Sequence, residues 1–316
     1  MSDLLATLAF SLSITGPIFV VLALGVFLNQ RRLINDNFVD IGAKLVFNVT
    51  LPSLLFISIA QTSIADAANP SLLAVGLLGT LGVYLLLELI AARLVQPRQE
   101  RGVVVQGGFR SNMGIIGLAY CVNAYGDAGL VAASLYLALV TILFNVLSVI
   151  TLSRSLNRGG GIAATLQGIA RNPLIIGILL ALPFAWSGVQ LPAILIRTGE
   201  YFAHMTLPLA LLCTGASLNF GALRNGFSNA LIATLCKLIL VPVTITGAGA
   251  AVGLRGIDLG VLLLMASAPT AAASYVMVRA MGGNAALAAN IIVLTTLGSL
   301  LTTSLGVSLL RALELI

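Results

Sequence analysis

Two short stretches of this chain combine residue types suited to chemistry inside a membrane. The first reads Gly107-Gly108-Phe109-Arg110-Ser111-Asn112-Met113-Gly114-Ile115-Ile116-Gly117 and sets glycines, a cation, a serine and an asparagine within an apolar run. The second, Ala266-Ser267-Ala268-Pro269-Thr270, interrupts another apolar run with a proline. Glycine weakens a helix interior by roughly 1 kcal/mol relative to alanine, and proline lacks a backbone donor and obstructs the preceding turn. Each stretch is therefore expected to unwind into two half-helices joined by an extended peptide, which a membrane tolerates only inside protein or beside a cavity. Half-helix N-termini offer free N–H groups and partial positive charge, a setting for a small anion such as a carboxylate. The competing reading is a pair of Gly/Pro-kinked packing helices.

Charges within a membrane span need a partner or a task. Glu88 and Arg110 fall at similar depth and are expected to form a structural ion pair. Lys237 has no acidic neighbour in sequence; it is expected to neutralise a carboxylate substrate, to stand where a cation would bind, or to pair with a distant residue. Asp40, Lys44 and Asn48 recur every four residues and share one helix face, and Arg197, Glu200 and His204 do nearly the same. Charges near span ends that pair or snorkel are the simpler account of both stripes. His204, Lys44 and Glu200 stay as candidates for coupling or gating. The substrate-binding candidates are Asn112, Ser111, Asn145, Ala268, Pro269, Thr270, Asn48 and Lys237.

Little here suggests catalysis. His204 is the only histidine, and Cys121, Cys213 and Cys236 fall inside apolar runs without metal-ligand spacing, as small core residues do. No catalytic residue, cofactor or metal is expected, and no H-E-x-x-H, Asp-rich or serine–histidine pattern supports an intramembrane enzyme.

The elements that must position these residues are membrane spans. Of 316 residues, 59% are hydrophobic and 8% charged, with a mean hydropathy of +1.08. A soluble domain would carry about a quarter charged residues. The pI of 9.7 does not indicate nucleic acid, because the basic residues are scattered singly between apolar runs. Ten runs are long enough to span a ~30 Å hydrocarbon core: 8–28, 37–60, 72–94, 103–124, 128–150, 166–187, 194–218, 228–250, 258–279 and 285–309. The connections after the odd-numbered spans hold Arg31, Arg32, Arg93, Arg98, Arg101, Arg154, Arg158, Arg171, Arg224 and Arg279. The other side holds Arg197, Arg255 and Arg311. The positive-inside rule then places both termini on the outer face of a bacterial-type inner membrane. Asp3 stands where a signal peptide would be basic, so the first run is expected to remain as a span. Trp186 and Tyr125 fall near outer span ends, as interfacial anchors do.

A shift of 156 positions aligns four segments without a gap: Gly16-Pro17-Ile18 with Asn172-Pro173-Leu174, Thr50-Leu51-Pro52 with Thr206-Leu207-Pro208, Ala124-Tyr125-Gly126 with Ala280-Met281-Gly282, and Leu130 to Ser134 with Ala286 to Asn290. Each half, 1–156 and 157–316, holds five spans. Five is odd, so the second half is expected to enter the membrane upside down. Inverted repeats of this kind are characteristic of secondary transporters with midplane sites.

The chain resembles the auxin efflux carrier family, including bacterial members of the malonate and organic-acid carrier type. The likeness rests on Asn48-Val49-Thr50-Leu51-Pro52, Arg110-Ser111-Asn112 with Gly117, Arg171-Asn172-Pro173, Ala268-Pro269-Thr270, and Ser274-Tyr275 through Gly282-Gly283. It implies an all-α, ten-helix fold of the bile acid/auxin carrier type, with broken helices 4 and 9 crossing. Helices 1, 2, 6 and 7 would form a scaffold, and helices 3–5 and 8–10 a mobile transport domain. The resemblance also implies elevator-type transport of organic anions, with Asn112 on the substrate. Its partners would be a small carboxylate and membrane lipid, with no nucleic acid; a second copy could dock through the scaffold. One departure is that Gly117-Leu118-Ala119 lacks the proline of the family's Gly-x-Pro, so the first crossover is expected to be looser or shifted. Three alternative transporter types make different demands on the sequence. A cation–proton antiporter expects carboxylates near the breaks, and spans 4, 5, 9 and 10 have none in their interiors. A drug/metabolite-type exporter expects unbroken helices. A cation-coupled bile-acid-type symporter shares the fold.

Overall fold

The computed structural model describes residues 2–61, 69–156, 173–218 and 227–316. Arg158, Arg171, Asn172 and Arg224 lie outside the described residues. Within them the chain is helical, and its one β-feature is an isolated bridge.

The helices are α1 (Ser2–Gln30), α2 (Asp36–Leu45), α3 (Leu51–Ala60), α4 (Pro70–Leu94), α5 (Arg101–Phe109), α6 (Leu118–Leu156), α7 (Pro173–Ser187), α8 (Ala193–Ala216), α9 (Phe227–Leu235), α10 (Val241–Ala251), α11 (Gly256–Ser267), α12 (Ala273–Ala280) and α13 (Ala285–Ala312). Asparagines start three of them. Asn35 accepts from the N–H of Phe38, Asn69 from those of Ser71 and Leu72, and Asn284 from that of Leu287.

Two π-helical turns, Val46–Thr50 and Cys236–Leu240, join α2 to α3 and α9 to α10. Each lies just before a proline, Pro52 or Pro242, whose missing N–H and bulky ring widen the turn upstream. Nearby hydroxyls take up carbonyls there: Ser53 donates to Val49 at 2.8 Å and Thr244 to Leu240 at 2.7 Å. The long α6 turns sharply at Gly126, where φ is 58° and ψ −139°. Gly282, its partner under the 156-position offset, also has a positive φ of 74°.

Six helical stretches among the described residues are long and apolar enough to cross a bilayer: Ser13–Gln30, Asp36–Ile57, Pro70–Leu94, Met113–Leu156, Ser228–Ala251 and Ala285–Ala312. The fourth has 44 residues and contains the Gly126 turn, so it is longer than one ~30 Å crossing requires. Ile176–Ser187 and Gly256–Ser267 are shorter apolar helices. Leu78, Val20 and Ile194 are exposed, as side chains facing lipid are. The protein is an integral membrane protein.

Packing falls into two clusters. Helix α1 packs on α8, and α3 on α7 and α8, whereas α4, α5, α6, α9, α10, α11 and α13 pack among themselves; α1 also touches α6 and α13. Close backbone approach requires glycine at the α1–α8 contact: a Cβ on Gly215 would stand 2.7 Å from the carbonyl carbon of Leu22. In the other cluster, Phe109 packs edge-on to Tyr84 with centroids 5.6 Å apart and tilts against Phe144 at the same separation, filling the space beside the end of α5. All three cysteines are buried, as the sequence suggested.

Candidate functional site

Helix α5 ends at Phe109, and the chain runs through Arg110, Ser111 and Asn112 before a π-helical turn at Met113–Gly117. Helix α11 ends at Ser267, and Ala268 leaves it with φ −55° and ψ 138°. The two breaks meet as antiparallel peptides. Ser111 and Thr270 form the bridge, Asn112 N–H donates to the Pro269 carbonyl at 2.6 Å, and Ala271 N–H donates to the Arg110 carbonyl at 3.0 Å. Simple kinks would keep their backbone bonds within their own helices; these breaks satisfy each other across the bundle, the arrangement a dry interior demands.

The side chains repeat this exchange. Thr270 Oγ1 donates to the Gly107 carbonyl at 2.6 Å, and Ser111 Oγ donates to the Ala266 carbonyl at 3.4 Å. The same sequence spacing separates Ser111 from Thr270 as separates Gly107 from Ala266. Each break thus caps the C-terminal carbonyls of the half-helix in the other. Thr270 N–H is in turn taken by Thr295 Oγ1 of α13 at 3.1 Å. After Asn112 the first break relaxes through its π turn, with the N–H groups of both Ile116 and Gly117 donating to the Asn112 carbonyl.

Lys237 occupies the π turn Cys236–Leu240 and is fully buried. Its ammonium donates to the Ala266 carbonyl at 2.7 Å and to Ser111 Oγ. It thus sits at the C-terminal, negative end of α11, where a cation is favoured. Of the three roles the sequence left open, the structure shows hydrogen bonds to a half-helix end and a hydroxyl.

Arg110 corrects an expectation. It does not pair with Glu88. Among the described residues its guanidinium bonds neutral groups: Asn145 Oδ1 at 2.8 Å, Ser148 Oγ at 3.1 Å and Met277 Sδ at 2.8 Å. Glu88 lies instead beside Tyr84, a phenol that also feels the charge of Arg154, and one Glu88 carboxylate oxygen is buried without a hydrogen bond. Similar depth along two spans did not decide the pairing, because the Arg110 side chain turns toward α6 rather than α4.

The remaining candidates divide clearly. Asn112, Ser111, Asn145, Ala268, Pro269, Thr270 and Lys237 are gathered at or beside the crossing. Asn112 is mostly buried, yet its side-chain amide makes no hydrogen bond to the described protein. Asn48 is not brought there: it is exposed on the π turn of Val46–Thr50, with its amide on the Lys44 carbonyl of its own helix at 2.8 Å. Lys44 and His204 are exposed and Glu200 half-buried, each on the α2–α3 or α8 side, and no hydrogen bond links them to the breaks among the described residues. Ser148, Met277 and Thr295 were not singled out in the sequence. Ser148 had a signal, the three-residue spacing from Asn145 that sets both on one face of an otherwise aliphatic span. Met277 and Thr295 had none.

An all-helical membrane protein with two helices broken against each other around polar groups belongs among the transporters. A model of the membrane transport protein family matches residues 15–164 and 162–307. The chain belongs to that family, which is the auxin efflux carrier-like one. Related sequences are themselves described as uncharacterized transporters. One from Methanothermobacter thermautotrophicus is 24% identical over 80% of this chain and 83% of its own length. MJ1031 of Methanocaldococcus jannaschii is 23% identical over 91% and 95%. YfdV of Escherichia coli K12 is 26% identical over 81% and 83%. The family and these relatives make the protein a membrane transporter.

Proposed function

We propose that the protein is a secondary transporter of small organic anions, carboxylates such as malonate or auxin-like acids, working by elevator-type alternating access. The observation that carries this reading is the Asn112 side chain. The residue is largely buried while its amide is taken by no described protein group, so the amide is available to a ligand, and it stands at the first turn of a half-helix, where partial positive charge favours an anion.

In this reading the helices make ten spans in two inverted halves, 1–156 and 157–316. The reciprocal capping of Ser111 and Thr270 and the matched positive-φ glycines support the repeat. The packing of α1 and α3 on α7 and α8 supports a scaffold of spans 1, 2, 6 and 7, with spans 3–5 and 8–10 moving against it. Both termini lie on the periplasmic side of an inner membrane, and substrate anions reach the crossing from either face in turn. Direct coupling to a bound cation is disfavoured, since the Lys237 ammonium already fills the place between Ser111 and Ala266.

The test is counterflow in proteoliposomes with radiolabelled acetate, malonate, succinate and indole-3-acetate. Uptake of at least one acid, with none of its amide, is expected. Equal transport of acid and amide, or transport of neither, would overturn the reading.

A further inference from the structure

The crossing contains two buried cations, and they are not equivalent. Lys237 is fully enclosed and directed at a half-helix C-terminus, whose carbonyl end balances its charge. Arg110 is about nine-tenths buried, with 8% of its surface exposed, and has no carboxylate partner among the described residues. Its three contacts among the described residues, Asn145, Ser148 and Met277, all use the terminal nitrogens of the guanidinium; Nε donates to no described protein group. The nearest carboxylate expected from the sequence, Glu88, is beside Tyr84 instead.

We propose that Arg110 is the residue that takes the carboxylate of the carried anion, while Lys237 is committed to holding the crossing together. This rests on the reading of the protein as an organic-anion carrier and names the charged ligand in that site. A guanidinium offers N–H donors in a planar fork that matches a carboxylate, and Asn145, Ser148 and Met277 hold the fork in place without neutralising it. Backbone placement favours access: Arg110 is two residues from Asn112 along the extended peptide, and Ala272 and Ala273, at the start of α12 opposite it, are exposed. An anion bound here would touch both the arginine and the free Asn112 amide. A cation left uncompensated inside a membrane bundle marks a functional group, and the ligand supplies the missing charge each time the site is loaded.

Two variants test this, read by thermal shift and by equilibrium binding of radiolabelled acetate, malonate, succinate and indole-3-acetate to the full chain in detergent. Arg110→Gln keeps hydrogen-bonding capacity and removes the charge; at least a tenfold loss of affinity for the acid that binds wild type is expected. Asn145→Asp places a carboxylate beside the guanidinium and supplies the counter-charge internally. It is expected to raise the melting temperature of the unliganded protein and to lower acid affinity by a similar factor, and it serves where Arg110→Gln does not fold. Wild-type affinity in either folded variant overturns the assignment of Arg110 and leaves the transporter reading intact. Failure of every acid to bind wild type overturns both.

Discussion

Lys237 and Ala266 are joined by a buried hydrogen bond of 2.7 Å, from ammonium to backbone carbonyl, at the last turn of a half-helix. The other half-helix that ends at the crossing, α5, has its Gly107 carbonyl capped by the hydroxyl of Thr270, while the guanidinium of Arg110 at its end turns to Asn145, Ser148 and Met277 instead of a helix carbonyl. The crossing is therefore symmetric in its backbone and asymmetric in its electrostatics. Ser111 is the hinge of this difference, since it bridges to Thr270 through the backbone and accepts from Lys237 through its side chain.

Removing that cation should cost stability. Lys237→Ala takes a charged donor from the Ala266 carbonyl and the Ser111 hydroxyl, and each such bond contributes roughly 1.5–3 kcal/mol. The free energy of unfolding in detergent should fall by roughly 3–6 kcal/mol for the two bonds together, without the acid selectivity of the remaining folded protein being lost. A variant as stable as wild type would show that Lys237 does not hold the crossing.

The elevator reading makes a mechanical prediction at the α1–α13 contact. Thr15 Oγ1 and Ser304 Oγ lie 3.0 Å apart, one in the proposed scaffold and one in the proposed moving domain. Cysteines at both positions are close enough for oxidation to link them, and linkage should stop transport until a reductant restores it. The native cysteines are buried and should not interfere. Undiminished transport by the fully linked protein would show that these helices do not slide past each other.

The scaffold itself depends on glycine. Gly215→Ala would set a methyl group against the Leu22 backbone, and overpacking of this kind costs about 1–3 kcal/mol. Lower yield and a lower melting temperature are expected, with intact substrate selectivity in whatever folds. The same change at Gly16, whose added Cβ meets nothing within 4 Å, should be tolerated.

Much of this architecture was legible in the sequence because its causes are local. Pro269 and the Gly107–Gly117 stretch signal the breaks through missing donors and poor helix propensity, and the 156-position offset aligns Gly126 with Gly282, which share a positive φ. Pairings between side chains were harder. Glu88 and Arg110 matched in depth, yet depth along a span says nothing about rotation around it, and Arg110 turned to Asn145 and Ser148. Asn48 shared a motif with the family and still lies on an exposed face, because its stripe follows α2 rather than the crossing. Lys237 could be placed near the midplane by counting residues, but the carbonyl it reaches is a backbone group, and backbone partners carry no residue type to read.

The most direct test of the central claim is the initial rate of carboxylate counterflow by Asn112→Ala in proteoliposomes, normalised to inserted protein. Because the Asn112 side chain bonds nothing in the described protein, its removal should leave membrane abundance and melting temperature unchanged. The account predicts a rate reduced by roughly tenfold or more, the equivalent of one lost hydrogen bond of about 1.4 kcal/mol to a bound anion. Counterflow at the wild-type rate in that variant would contradict it.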